Sequence, residues 1–320
     1  MRILICDDSS IARKSLGNCI DTTQNVSILY ANDGAQALDI LSQHHVDVLF
    51  LDITMPVMDG FEVLLALQPI PSNLKVVMVS ADIQDKAKQR CFELGAKAFI
   101  EKPLHPNSAI PLFHDLGIEF CQFKLKQASL TRVESIECFR EIANIALGSG
   151  AATIADHLQE FIQLPVPVVG EITFGEVTMT IQDSLARKNT CAVSQRFVGG
   201  GLHGEALVCV RSDCVTLVGQ RLGFDTTDSS HDEIIVNVVN LLVSSFLISL
   251  SNQLGIEFSL RQPLRVEEFF PKKSEMKDTE QIFVIEYTYE AESMDLGCDI
   301  LLLLDAPSVD VICQLMEGSY

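Results

Sequence analysis

Four short apolar runs, each closing on a polar or charged residue, limit most strongly how the first third of this chain can fold. They are Arg2–Asp7, Val46–Leu51 before Asp52, Val76–Val79 before Ser80, and Ala98–Ile100 before Glu101, Lys102 and Pro103. Between them, segments 9–20, 34–43, 60–68 and 83–94 carry apolar residues at helical spacing. Runs that are apolar throughout are buried on both faces, and strands alternating with helices build a parallel sheet covered on both sides. With one further strand between the first two runs, the expected fold is an α/β doubly wound five-stranded parallel sheet.

In such a sheet, ligands gather beyond the carboxyl ends of the strands. Asp7 and Asp8 follow the first strand, Asp52 the third, Ser80 the fourth and Lys102 the fifth. An acid at a strand end is, taken alone, a helix cap. Three carboxylates on one rim repel one another unless a cation joins them, and hard oxygen ligands of this kind suit Mg²⁺. A carboxylate beside Mg²⁺ and a lysine can attack a phosphoryl donor, because both cations offset charge on the transferred group.

The ordered set resembles the receiver domain of two-component response regulators. The residues that carry the likeness are Asp7-Asp8, the D-x-x-M-P-x-M-D-G run from Asp52 to Gly60, Ser80-Ala81 and Lys102-Pro103. The resemblance implies Asp52 as phosphoacceptor and a Mg²⁺ site formed by Asp7, Asp8, Asp52 and the main-chain carbonyl of Thr54. It also implies Ser80 and Lys102 as holders of the phosphoryl oxygens, and Phe99 as the aromatic switch residue. Pro106 and Pro111 fall where the last helix belongs and lead us to expect a short or shifted helix.

The receiver is expected over 1–122, a linker over 123–130 and a second domain over 131–320. Thr131-Arg132-Val133-Glu134 reads as a capping box opening a helix. Glu137, Glu141 and Asn144 fall along one stripe of that helix. The pattern Glu137-x3-Glu141-x2-Asn144-x22-Pro167 returns as Glu233-x3-Asn237-x2-Asn240-x22-Pro263. Strand-like segments follow each proline, and helix-like tails, Val215–Leu222 and Val309–Met316, close each half. The domain therefore reads as an α+β unit of two homologous halves, about 131–226 and 227–320.

This pattern resembles the CheC/CheX/FliY-type phosphatases of bacterial chemotaxis, most of all the duplicated CheC-like form. The resemblance implies Glu141 and Asn144 as the catalytic pair, with Glu137 and Pro167 supporting them. Chemically, an amide such as Asn144 can aim a water at an acyl phosphate, and Glu141 can pair with the substrate's own lysine. Such a domain needs no cofactor of its own. In the second half Asn237 replaces the acid, so the site of Glu233, Asn237, Asn240 and Pro263 is expected to be degenerate. Gly148–Ala152 reads as a small-residue patch for close helix packing.

The expected function is a response regulator whose output is a protein-aspartyl-phosphate phosphatase. Implied partners are a CheA-like sensor histidine kinase, a phosphorylated CheY-like receiver and a CheD-like protein, with a homodimer as one assembly. A non-catalytic adaptor, a phosphate sink and a phosphatase acting on its own receiver stay open. Lys plus Arg is 23 and Asp plus Glu 43, a net charge of -20, which disfavours nucleic-acid binding. We find no run read as a membrane span and no signal peptide, so the expected location is the cytoplasm. The cysteines have no metal-ligand spacing and read as reduced core thiols.

Overall fold

The computed structural model describes residues 1–22, 25–121, 130–211, 215–224, 230–266, 279–291 and 296–319. Nearly all of the expected linker 123–130 lies outside the described residues. The chain divides into two compact units, Met1–Gln127 and Ala128–Ser319.

The first unit follows β1 (Arg2–Cys6), α1 (Ser10–Asn18), β2 (Ser27–Ala31), α2 (Gly34–Gln43), β3 (Val48–Leu51), α3 (Gly60–Ala66), β4 (Lys75–Ser80), α4 (Asp85–Glu93), β5 (Ala98–Glu101) and α5 (Pro106–Leu116). The five strands are parallel, in the order β2-β1-β3-β4-β5. Successive side chains on a strand point to opposite faces. Ile3, Ile5, Val48, Phe50, Val77 and Val79 thus share one face with Leu16 of α1 and Ala109, Phe113 and Leu116 of α5. Helix starts are set by local acids and hydroxyls. Ser9 caps α1, Asp33 caps α2, and Asp59 with Glu62 forms a capping box on α3.

The last helix departs from expectation. It runs eleven residues, with Pro106 in its first turn, where a missing N–H costs little. Pro111 sits inside the helix, yet Ala109, Phe113 and Leu116 are buried. Phe113 lies 5.4 Å from the ring of Phe50 and 5.5 Å from that of Phe120. Burial of this apolar face outweighs the lost backbone hydrogen bond.

The second unit is α+β with one large antiparallel sheet. Its order is α6 (Arg132–Leu158), β6 (Ile162–Gln163), β7 (Val168–Thr173), α7 (Phe174–Ala186), β8 (Thr190–Gly199), β9 (Leu202–Arg211) and α8 (Val215–Arg221). Then follow α9 (His231–Leu254), β10 (Ser259–Leu260), β11 (Leu264–Val266), β12 (Gln281–Ala291), β13 (Gly297–Leu304) and α10 (Ala306–Ser319). The sheet runs β10-β8-β9-β13-β12-β6, with β11 also on β8 and β7 also on β12. The short strands after α6 therefore pair with β12, and those after α9 pair with β8.

One sheet face carries Phe283 and Tyr287 against Phe139 of α6 and Phe246 of α9. The other carries Ala192, Leu207, Cys209, Val284 and Leu301 against Val177 and Ile181 of α7. Helices α6 and α9 meet where Gly150 faces Phe246. A Cβ at Gly150 would lie 3.2 Å from the Phe246 backbone nitrogen. The small-residue patch thus serves close packing, as its composition suggests.

One expectation fails in this unit. Helix α9 is long and apolar enough to cross a membrane, with a mean hydropathy of 2.1, although we expected no such run. With 61% of that window buried, it serves here as a core helix against the sheet and α6.

Replacing exposed Pro111 by Ala restores a hydrogen-bond donor in α5 and should raise the unfolding free energy by about 2 kcal/mol in urea melts. Unchanged or lower stability would show that the helix is not hydrogen-bonded through this position.

Candidate functional site

The strand order reverses between β1 and β3, the place where an open parallel sheet leaves a crevice. Asp7 and Asp8 leave β1 on one side of it, and Asp52 leaves β3 on the other. One oxygen of each carboxylate lies within 4.8 Å of the others. Asp7 and Asp52 are buried, at 5% and 1% exposure, and Asp8 is half-buried. Lys102, just after β5 and itself buried, brings Nζ to 2.8 Å from Asp7 and 3.0 Å from Asp52. One ammonium among three carboxylates leaves excess negative charge on oxygen donors. That donor set fits a hard divalent cation such as Mg²⁺.

The loops that hold these groups are tied down locally. Asp7 accepts from the Ser9 backbone N–H at 2.8 Å, and the Ile53 N–H donates to Asp52 at 2.7 Å. Arg13 of α1 donates to the carbonyl oxygens of Asp7 and Asp8. Gly60 lets α3 begin against the Asp52 loop. Its N–H donates to the Ile53 carbonyl at 2.8 Å, and a Cβ would fall 2.9 Å from Ile53 Cα and nearer still to the Asp52 carbonyl. Ser80 ends β4 fully buried, and its hydroxyl accepts from the Asp82 N–H at 3.1 Å. Thr54 is buried two residues beyond Asp52. Phe99 is half-buried on β5, with the Lys88 ammonium 5.9 Å from its ring centre. The Lys102-Pro103 peptide is cis.

Residues 3–111 match the family model described as the response regulator receiver domain. The N-terminal unit is a receiver domain. The chain is 35% identical over 104 residues to the sensor histidine kinase RcsC of Escherichia coli, covering 32% of this chain and 11% of that protein. It is 36% identical over 110 residues to a protein-glutamate methylesterase/protein-glutamine glutaminase of Treponema pallidum, covering 33% of this chain and 27% of that protein. The chain thus spans well under a third of either relative. The crystal structure of Thermotoga maritima FliY is 22% identical, covering 60% of this chain and 100% of that one at a TM-score of 0.43. Outside the receiver domain, the chain is described by its own geometry.

In the second unit, the carboxylate–amide stripe sits on the N-terminal half of α6, whose start is fixed by the Thr131–Glu134 capping box. The stripe is not evenly open. Glu137 and Asn144 are half-buried, whereas Glu141 is 7% exposed. Pro167 is buried just before β7. On α9 the matching positions Glu233, Asn237 and Asn240 are all exposed, and Pro263 is buried. Asn240 accepts a hydrogen bond from Gln195 at 2.7 Å. Side-chain burial at position 141 was not legible from spacing, which fixes an angular position but not how deep a neighbouring element covers it.

Two further groups escaped the sequence reading. Gln195 is a polar residue inside an apolar strand, and Asp82 stands among apolar and small neighbours. Asp82 is 3% exposed, and burial pushes its carboxyl up to about 6 from the usual 3.8. The folded state thus holds this proton more tightly than the unfolded chain. Asp82 therefore lowers stability as pH rises from about 4 to about 6, and the loss persists above that. Asp82→Asn keeps an acceptor for the Gln84 N–H, which Asp82 now receives at 3.1 Å. It should raise the Tm at pH 8, by a stability of up to about 3 kcal/mol, and leave the Tm near pH 4 almost unchanged. Equal shifts at both pH values would contradict this account of the buried carboxyl.

Proposed function

We propose that this protein is a phosphorylation-controlled regulator of chemotaxis-type signalling in which Asp52 accepts a phosphoryl group from a CheA-like histidine kinase. The observation that carries the reading is the Lys102 ammonium held between Asp7 and Asp52 in a cleft of three carboxylates. The Asp52 carboxylate attacks phosphorus, a new P–O bond forms, and the bond to the kinase histidine breaks as that nitrogen departs. Lys102 faces the incoming phosphoryl oxygens, and Ser80 at the end of β4 offers them a hydroxyl. Asp7, Asp8 and Asp52, with the carbonyl of Thr54, would hold Mg²⁺, which when bound supplies charge compensation for the transferred group. Phe99 would report the phosphorylated state by repacking.

The second unit is proposed to be a phosphatase for the phosphorylated aspartate of a CheY-like receiver. The repeated motif and the access of Asn144 support this reading. Asn144 would accept from a water and hold it in line with the acyl phosphate. The water oxygen bonds to phosphorus, the P–O bond to the substrate aspartate breaks, and the carboxylate is restored. Glu141 has only a narrow opening toward an approaching lysine, so Asn144 carries the reading. Glu137 and Pro167 support the helix and the strand that follows it. One alternative is a receiver-binding module without hydrolysis.

The test mixes the full-length protein with a phosphorylated CheY-like receiver and follows inorganic phosphate. Acceleration that falls at least about tenfold in Asn144→Ala, with an unchanged Tm, supports the phosphatase. Binding with no acceleration by the unaltered protein selects the binding module and removes the catalytic claim. A rate unaffected by Asn144→Ala also removes it.

A further inference from the structure

Gln195 lies on β8 at 1% exposure, in the apolar face that packs against the long helices. Its Nε2 donates to the Arg261 backbone carbonyl at 3.0 Å and to Oδ1 of Asn240 at 2.7 Å. A backbone carbonyl can only accept, so the Arg261 contact fixes which end of the Gln195 amide points that way. The second N–H of the same group then requires Asn240 to turn its oxygen inward. Gln195 keeps this pose although its own Oε1 is buried with no hydrogen-bond partner among the described residues. The pose is therefore set by its two donor contacts.

Asn240 is exposed, and with its oxygen held inward its outward end is the NH₂ group. Asn144, its counterpart on α6, has no side-chain hydrogen bond among the described residues and can present either end of its amide. Hydrolysis needs an acceptor for a water proton, whereas holding a phosphoryl oxygen needs a donor. Asn237, one turn earlier, adds a second exposed amide. Glu233, one turn before Asn237 and two before Asn240, is an exposed acid, and Asp232 is paired with Arg265.

We infer that the half-site on α9 holds a phosphoryl oxygen of a phosphorylated receiver through the NH₂ group of Asn240 without hydrolysing the acyl phosphate, with Gln195 as the positioning residue that sets the Asn240 amide. This rests on the reading of the second unit as one that engages phosphorylated receivers. Asn240→Asp keeps the side-chain shape but places acceptor oxygens where the NH₂ stood. Gln195→Met removes the clamp with an apolar side chain of similar length.

The probe is an isolated CheY-like receiver loaded with beryllofluoride and Mg²⁺. Its binding is measured on the full chain carrying Asp52→Ala, so that only the probe is loaded, and Asn144→Ala, which removes the amide of the α6 half-site. Asn240→Asp should weaken binding by about tenfold or more. Gln195→Met on the Asn144→Ala background should raise phosphate release above that of Asn144→Ala alone, because the freed amide can then accept from water. Unchanged binding in Asn240→Asp overturns the inference. No gain in Gln195→Met, at a Tm equal to its parent, overturns the role given to Gln195. If the unaltered chain neither binds the loaded probe nor accelerates phosphate loss, the receiver-directed reading falls as a whole, a result distinct from each of these.

Discussion

The receiver unit depends on one charge arrangement, a buried ammonium between two buried carboxylates. Lys102 meets Asp7 and Asp52 at 2.8 and 3.0 Å, and a third carboxylate, Asp8, stands alongside. Buried charges of this number are tolerated only where opposite charges and hydrogen bonds surround them. The sheet supplies that surrounding. Its topological reversal brings β1 and β3 side by side, β5 delivers the lysine, and Gly60 lets α3 start against the Asp52 loop. The cleft retains excess negative charge on oxygen donors, a set that fits a divalent cation.

The second unit solves a different problem. A single antiparallel sheet is covered on one face by the long helices α6 and α9, and on the other, in part, by α7. The close approach at Gly150 brings the two helices together. Their N-terminal halves carry the carboxylate–amide stripes, which differ in exposure from one helix to the other. The same sequence spacing thus yields unlike sites. On α6 the acid at 141 is nearly covered and the amide at 144 is reachable. On α9 all three polar positions are exposed, and Gln195 holds the amide of Asn240.

Much of the receiver was legible because its strands are apolar throughout and end in functional residues. The pattern Asp7-Asp8, Asp52, Ser80, Lys102 is visible without coordinates, and these residues converge in space. Strand β2 was harder to place, because Ser27 and Tyr30 at the sheet edge are exposed and break the apolar run. Pro106 and Pro111 suggested a short or shifted helix, because the local hydrogen-bond loss is visible in sequence while the burial of Phe113 is not. Helix α9 carries polar motif residues in its first turns, which mask in sequence how apolar the rest of the helix is. Gln195 and Glu141 were illegible for a common reason. Their roles depend on elements distant in sequence, which set what a polar side chain meets and how deeply it is covered.

Cation-dependent phosphoryl chemistry is expected at the acid cleft. The decisive measurement is phosphoryl incorporation into the full chain from acetyl phosphate, with the modified residue located by mass spectrometry. Incorporation should require a divalent cation, occur at Asp52, and disappear in Asp52→Asn. Incorporation that persists in Asp52→Asn, or that proceeds equally well in excess chelator, would contradict it.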